Sequence, residues 1–300
     1  NKMVYRFFEN NLDRKALSKN DLIVVKGFSE KDKSEQIAAL NLQNKTLTVL
    51  NQFPMHINNL IGSKYNNELI AIQEDEKRAG TPYWYQINQS TQPTIARITI
   101  NTQQGDYNWM TSEIVTWKAY TGKVTEGVLY KPENFDPNKK YPMIVYFYER
   151  NSQTLHNYLA PAPTPSRLNI PFFASRGYLV FVPDIWYKKG EPGQSAYDYI
   201  VSGTKALIQK GFVDSTKIGL QGQSWGGYQI AYLITKTNLY AAAWAGAPVV
   251  NMTSAYGGIR WGPGVNRQFQ YEKSQSRIGA TLWERQDLYL KNSPLFSLNK

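Results

Sequence analysis

This sequence predicts two kinds of β-structure in one chain: antiparallel strands first, then a mostly parallel sheet interleaved with helices, the α/β class. Three observations lead there. Over roughly the first hundred residues, apolar and polar side chains alternate in short runs broken by turn-forming residues, the period-2 signature of antiparallel hairpins. Further on, apolar runs without alternation, such as 143–147 and 178–182, are separated by stretches with helical spacing. That is the pattern of a parallel sheet covered on both faces. Between one such run and a helical stretch stands Gly222-Gln223-Ser224-Trp225-Gly226, the G-x-S-x-G pattern of a sharp strand-to-helix turn.

The elements follow in order. Strands are expected at 22–25, at 37–42 and at 46–50, the last two joined through Gln43-Asn44-Lys45 as a hairpin, because alternation flanks a turn-forming segment. A second hairpin pairs 69–73 with 83–87 across the polar turn 74–80, and 95–100 adds another strand. Short, evenly spaced strands fit a sandwich or the blades of a propeller, whose four-stranded blades take roughly 40 to 50 residues each. Two blades and part of a third would be all that fits, too few to close a ring. The texture changes near 108–115, giving a first domain over 1–112 and a second over 113–300. In the second, 115–120 and 125–130 form a hairpin, and buried strands are expected at 143–148, 178–182, 217–220 and 241–245. Helices are expected over 195–210, where Gly211 stands as a left-handed cap, over 226–236 and over 282–289.

Composition removes several functional classes. Hydrophobic residues at 42% and charged residues at 19% suit a chain that buries a core. The absence of cysteine rules out a disulfide scaffold, a thiol nucleophile and thiolate metal sites. Two histidines, His56 and His156, do not make a histidine-built metal site. The apolar runs are strand-sized, so no membrane span is expected. The net charge of +11 raises nucleic acid as a partner. However, the basic pairs Lys77-Arg78, Lys139-Lys140 and Lys188-Lys189 are scattered through polar loops and read as solvated surface, so no nucleic-acid partner is expected.

The chemistry concentrates at Ser224. A strand that turns directly into a helix can hold a serine at its apex with Oγ projecting above the sheet, provided glycines let neighbouring backbone pass. The helix N-terminus then offers free N–H groups, that of Trp225 among them, to a developing oxyanion. A glycine-rich structural turn would carry the same three residues in five. The buried-strand run just upstream and the helical spacing just downstream favour the nucleophile.

The segment 211–228, Gly-Phe-Val-Asp-Ser-Thr-Lys-Ile-Gly-Leu-Gln-Gly-Gln-Ser-Trp-Gly-Gly-Tyr, resembles the nucleophile segment of the prolyl oligopeptidase family of serine peptidases. The likeness continues through Ala247-Pro248-Val249, through Ser293-Pro294-Leu295-Phe296 and upstream through 141–148. It implies an α/β hydrolase fold over 113–300, preceded by strands that resemble the last blades of a β-propeller. It also implies roles. Ser224 would attack the scissile carbonyl and form an acyl-enzyme, with the Trp225 backbone N–H and the Tyr148 hydroxyl holding the oxyanion. Trp225, Tyr228 and Val249 would line the pocket for the residue before the cleaved bond, without cofactor or metal. Each has a plainer reading: Tyr148 as a solvent-facing aromatic at a sheet end, and Trp225, Tyr228 and Val249 as packing.

Departures from the family pattern stand at Glu149-Arg150-Asn151, where small residues and a glycine are usual, and at Ile185-Trp186-Tyr187, where arginine and glycine usually follow Pro183-Asp184. They leave pocket shape and specificity open. The larger departure is the missing base. A hydrolase of this topology supplies its acid and histidine after the serine, yet no histidine follows Ser224 within these residues and the one aspartate is Asp287, read as a solvated helix residue. His156 is read as a loop histidine and His56 as partnerless. The expectation is therefore a piece of a longer chain whose triad Asp and His lie beyond residue 300, inactive by itself. The alternatives are an esterase or acyl hydrolase on the same fold and a non-catalytic binding or scaffold protein. The expected partners are a peptide substrate and the remainder of its own chain or a complementary fragment, with a homo-oligomer left open. Abundant Asn and Gln without cysteine lean toward a bacterial periplasmic or secreted setting.

Overall fold

In the computed structural model, residues 3–7, 22–53, 55–63, 66–87 and 94–299 are described. The chain separates into two compact units, one of Asn1–Ser112 with Gln153–Ala160, the other of Glu113–Ser152 with Pro161–Lys300.

The first unit consists of antiparallel strands taken in chain order. β1 (Met3–Phe7), β2 (Leu22–Ser29), β3 (Glu35–Asn41) and β4 (Thr46–Phe53) form one four-stranded sheet. β5 (His56–Gly62), β6 (Glu68–Asp75), β7 (Arg78–Gln86) and β8 (Thr94–Arg97) form the second. Alternation does what it predicts: Ile37 and Ala39 point into a core shared with Ile57, Leu69, Ala71 and Tyr85, while Ala38 points the other way against Ile23 and Val25. The first hairpin keeps its expected pairing, with Leu40 opposite Leu47. β1 and β5 were not expected, and the strand expected over 95–100 stops at Arg97, with Ile98 and Ile100 exposed.

A buried carboxylate of this unit gathers partners from neighbouring strands. The Glu35 carboxylate lies 2.9 Å from Lys26 Nζ and 3.0 Å from His56 Nδ1 and accepts the Ile57 N–H. His56 is therefore not partnerless, as the sequence suggested; its partner lies on β3, 21 positions away in sequence. Burial pushes the Glu35 carboxyl up, but His56, the Ile57 amide and Lys26 outweigh it and hold the group below its ordinary 4.5.

The second unit is built on a six-stranded sheet. Its strands are β9 (Thr111–Lys118), β10 (Val124–Lys131), β11 (Tyr141–Tyr146), β12 (Leu179–Pro183), β13 (Val213–Gln223) and β14 (Ala242–Gly246), in the order β14-β13-β11-β12-β10-β9. β11 runs parallel to β12 and β13, β13 runs parallel to β14, and β10 is antiparallel to β12. All five residues of β12 are buried, as a run without alternation requires. The helices are α1 (Ile170–Ala174), α2 (Pro192–Gln209), α3 (Trp225–Leu233), α4 (Met252–Tyr256), α5 (Gln268–Glu272) and α6 (Gln286–Lys291), with a two-stranded ribbon, β15 (Ile259–Arg260) and β16 (Val265–Asn266), before α5. α2 begins with Pro192 at its first turn and is followed by Gly211 at φ 94°, the left-handed position a helix end calls for.

Three expectations are corrected. The run 143–148 leaves the sheet at Tyr146, so Tyr148 sits in the following loop. The run 241–245 forms a strand that is not buried here: among the described residues β14 pairs with β13 along one side, and Ala242, Ala243 and Trp244 are exposed. The helix expected over 282–289 begins at Gln286, because Glu284 turns back to accept from the Thr281 N–H and hydroxyl, each at 2.9 Å.

Candidate active site

The turn from β13 into α3 is set by glycines. A Cβ on Gly222 would lie 2.8 Å from the Gly226 carbonyl carbon, and one on Gly226 would lie 2.5 Å from the Phe147 carbonyl oxygen. Neither contact is tolerable for a side chain, so only glycine lets the turn close on itself and on the end of β11. Between them Ser224 is exposed, at φ 57° and ψ −110°, a conformation that L-residues adopt only under constraint. The constraint is backbone: the Ser224 N–H donates to Gly246 O at 2.8 Å and its carbonyl accepts from the Tyr228 N–H at 2.9 Å. Its hydroxyl takes no part in capping α3. The serine therefore stands at the carboxyl end of β13 with Oγ free of the helix it precedes. That is the end of a parallel sheet where ligands are generally received.

Trp225 and Tyr228 occupy the first turn of α3, both buried. Their rings stack at 4.5 Å between centroids and join Met252, Tyr256, Tyr271, Ile278 and Tyr289 in an apolar cluster, against which Val249 packs half-buried. Tyr228 is wholly enclosed and its hydroxyl has no hydrogen-bond partner among the described residues. Burial pushes that phenol far above its ordinary 10.0. Its ring supports Trp225 from beneath.

Tyr148 is 38% exposed, and its loop is gripped from several sides. Asp184, buried at the end of β12, accepts from the Asn151 N–H at 2.7 Å, the Ser152 N–H at 2.9 Å and the Ser152 hydroxyl at 2.7 Å. The Ile185 N–H donates to Glu149 O at 3.0 Å. The Tyr148 carbonyl accepts from Gln229 Nε2 at 2.8 Å and from the Tyr187 hydroxyl at 3.3 Å. The Tyr148 hydroxyl accepts from Gln275 Nε2 at 2.8 Å. Arg277 reaches Glu149 through both terminal nitrogens, at 3.1 and 3.0 Å, with its guanidinium 4.2 Å from the centre of the Tyr187 ring.

Asp184, Tyr187, Gln229, Gln275 and Arg277 were not foreseen. The available signal was that Glu149-Arg150-Asn151 and Ile185-Trp186-Tyr187, the two departures from the family pattern, turn out to meet each other. His156 lies in the first unit, its Nε2 2.9 Å from the Asp32 carbonyl. Asp287 is solvated on α6 and pairs with Arg285 at 2.7 Å.

Comparison with known proteins agrees with the resemblance read from the sequence. Residues 164–278 match the model of the prolyl oligopeptidase family, and over that stretch the family likeness is established. Dipeptidyl peptidase 8 of Mus musculus is 33% identical over 150 residues, 46% of this chain and 17% of that protein. Dipeptidyl-peptidase 5 of Porphyromonas gingivalis is 25% identical over 190 residues, 56% of this chain and 24% of that protein. A crystal structure of a Bacteroides ovatus protein assigned as a dipeptidyl aminopeptidase IV superposes with a TM-score of 0.67 at 21% identity, covering 93% of this chain and 39% of that one. The fold is thus that of part of such a protein, and the chain spans less than a quarter of the curated relatives' length.

Proposed function

We propose that this chain carries the nucleophile half of a serine peptidase of the prolyl oligopeptidase type, acting on short peptides by acyl transfer. One observation carries the reading: an exposed serine held at positive φ at the carboxyl end of a parallel strand, inside the segment that matches the family. In this reading Ser224 Oγ bonds to the scissile carbonyl carbon while the carbonyl π pair moves onto oxygen. The Trp225 N–H and the Tyr148 hydroxyl donate to that oxyanion. Collapse expels the amine, which takes the serine's proton from the base, and water then releases the acyl group. Trp225 and Val249 form the pocket wall, while Tyr228, fully enclosed, takes the packing role and backs Trp225 rather than meeting the substrate.

The acid and histidine of the triad come from outside residues 1–300, since no histidine follows Ser224 here. The two four-stranded sheets of the first unit are read as propeller blades. No step calls for a metal or cofactor. The relatives' names make removal of an N-terminal dipeptide the first activity to assay.

The test uses the full-length protein. A fluorophosphonate should label Ser224, peptide anilides should be hydrolysed faster than simple esters, and Ser224→Ala should lower kcat by on the order of 10⁴-fold or more. Absence of labelling defeats the reading; preference for esters replaces the peptidase with an acyl hydrolase.

A further inference from the structure

Tyr187 and Gln275 belong to no part of the proposed reaction, yet their polar atoms converge on Tyr148. The Tyr187 hydroxyl accepts from Trp225 Nε1 at 3.1 Å and Gln229 Nε2 at 2.6 Å, and spends its own hydrogen on Tyr148 O at 3.3 Å. One hydroxyl thus links the two residues proposed to carry the oxyanion donors. The ring is held in turn by the guanidinium of Arg277, itself fixed by Glu149, so the tyrosine has little freedom to swing. At the other end of Tyr148, Gln275 Nε2 donates to the phenolic oxygen. An oxygen that accepts from an amide keeps its own hydrogen for a different acceptor.

We propose that Tyr187 and Gln275 are positioning residues for Tyr148, the first fixing its backbone and the second fixing the sense of its hydroxyl so that the O–H points to the oxyanion. This rests on the reading of Tyr148 as an oxyanion donor. A donor is effective only at about 2.7–3.1 Å from where the charge develops, and a side chain 38% exposed in a loop would otherwise lose that geometry to rotation.

Steady-state kinetics on the full-length protein test this through a double-mutant cycle with Tyr148→Phe. Tyr187→Phe and Gln275→Met should each lower kcat by on the order of tenfold and leave KM within about twofold, because the loss falls on the transition state. In the Tyr148→Phe background, Gln275→Met should cost less than about twofold, since no hydroxyl remains to orient. Gln275→Glu should be slower than Gln275→Met, because a carboxylate would accept the Tyr148 proton and turn it away. A role in stability alone would give the same factor in both backgrounds and would lower the melting temperature. Should Tyr187→Phe fail to fold, the half-buried Gln275 decides by itself.

An unchanged kcat in Gln275→Met, or an undiminished effect beside Tyr148→Phe, overturns the positioning role while fluorophosphonate labelling of Ser224 in the unaltered protein leaves the peptidase reading standing. Absence of that labelling removes both.

Discussion

The antiparallel unit and the α/β unit bury polar groups to different ends. In the first, the enclosed Glu35 is paired with the half-buried Lys26 and His56, and the cluster joins β2, β3 and β5. In the second, Asp184, Gln229 and Tyr187 aim at backbone, and all of them at the short loop beyond β11. Enclosed charge that is fully paired ties elements together; enclosed hydrogen-bonding groups that converge on one loop fix where that loop points. The difference teaches where to look for chemistry: not at the strongest ion pair, but where polar atoms spend their bonds on main chain beside an exposed serine.

Three changes break or sharpen this contrast. The largest effect is expected from Gly226→Ala. The added methyl meets the Phe147 carbonyl oxygen at 2.5 Å, so the serine turn and the end of β11 must separate. Loss of about 1–3 kcal/mol of stability and of a hundredfold or more in hydrolysis by the full-length protein is expected, read by denaturant unfolding and by kcat. Glu35→Gln should instead leave hydrolysis by folded protein unchanged while destabilising by about 2 kcal/mol, as removing one member of an enclosed pair strands the others.

Its pH signature has a definite sign. The folded Glu35 carboxyl lies below its ordinary 4.5, so its contribution is complete above that value and is lost as pH falls through the lower, folded one. Acid unfolding of the unaltered protein should therefore be the steeper, and the gap to Glu35→Gln should close as the pH drops; a constant gap would show that the pairing is not electrostatic. The smallest effect belongs to Asp287→Asn. This carboxylate pairs with Arg285, in solvent, and neither kcat nor melting temperature should move. A large drop in kcat would make Asp287 the acid of the triad after all.

The contrast also explains what could be read from sequence. Hairpins such as 37–42 with 46–50 announce themselves through alternation and a local turn, and Ser224 announces itself because the glycines it needs lie within two positions. Both signals are local. The exposure of Ala242, Ala243 and Trp244 was not legible because these residues are apolar whether or not anything covers them. The pairing of His56 with Glu35 spans 21 positions. Those of Arg277 with Glu149 and Gln275 with Tyr148 span 128 and 127. No periodicity records contacts of that range. The loops that distinguish this chain from its family pattern were visible as departures, but their partners became visible only once the chain was folded.

Position 224 has a consequence for how such a chain can change over generations. At φ 57° and ψ −110° any side chain costs on the order of 1–3 kcal/mol that glycine would not, so drift toward glycine there would make a sturdier molecule. A serine that persists at this spot is a standing tax on durability, and a lineage released from the need for that hydroxyl would be expected to shed it early.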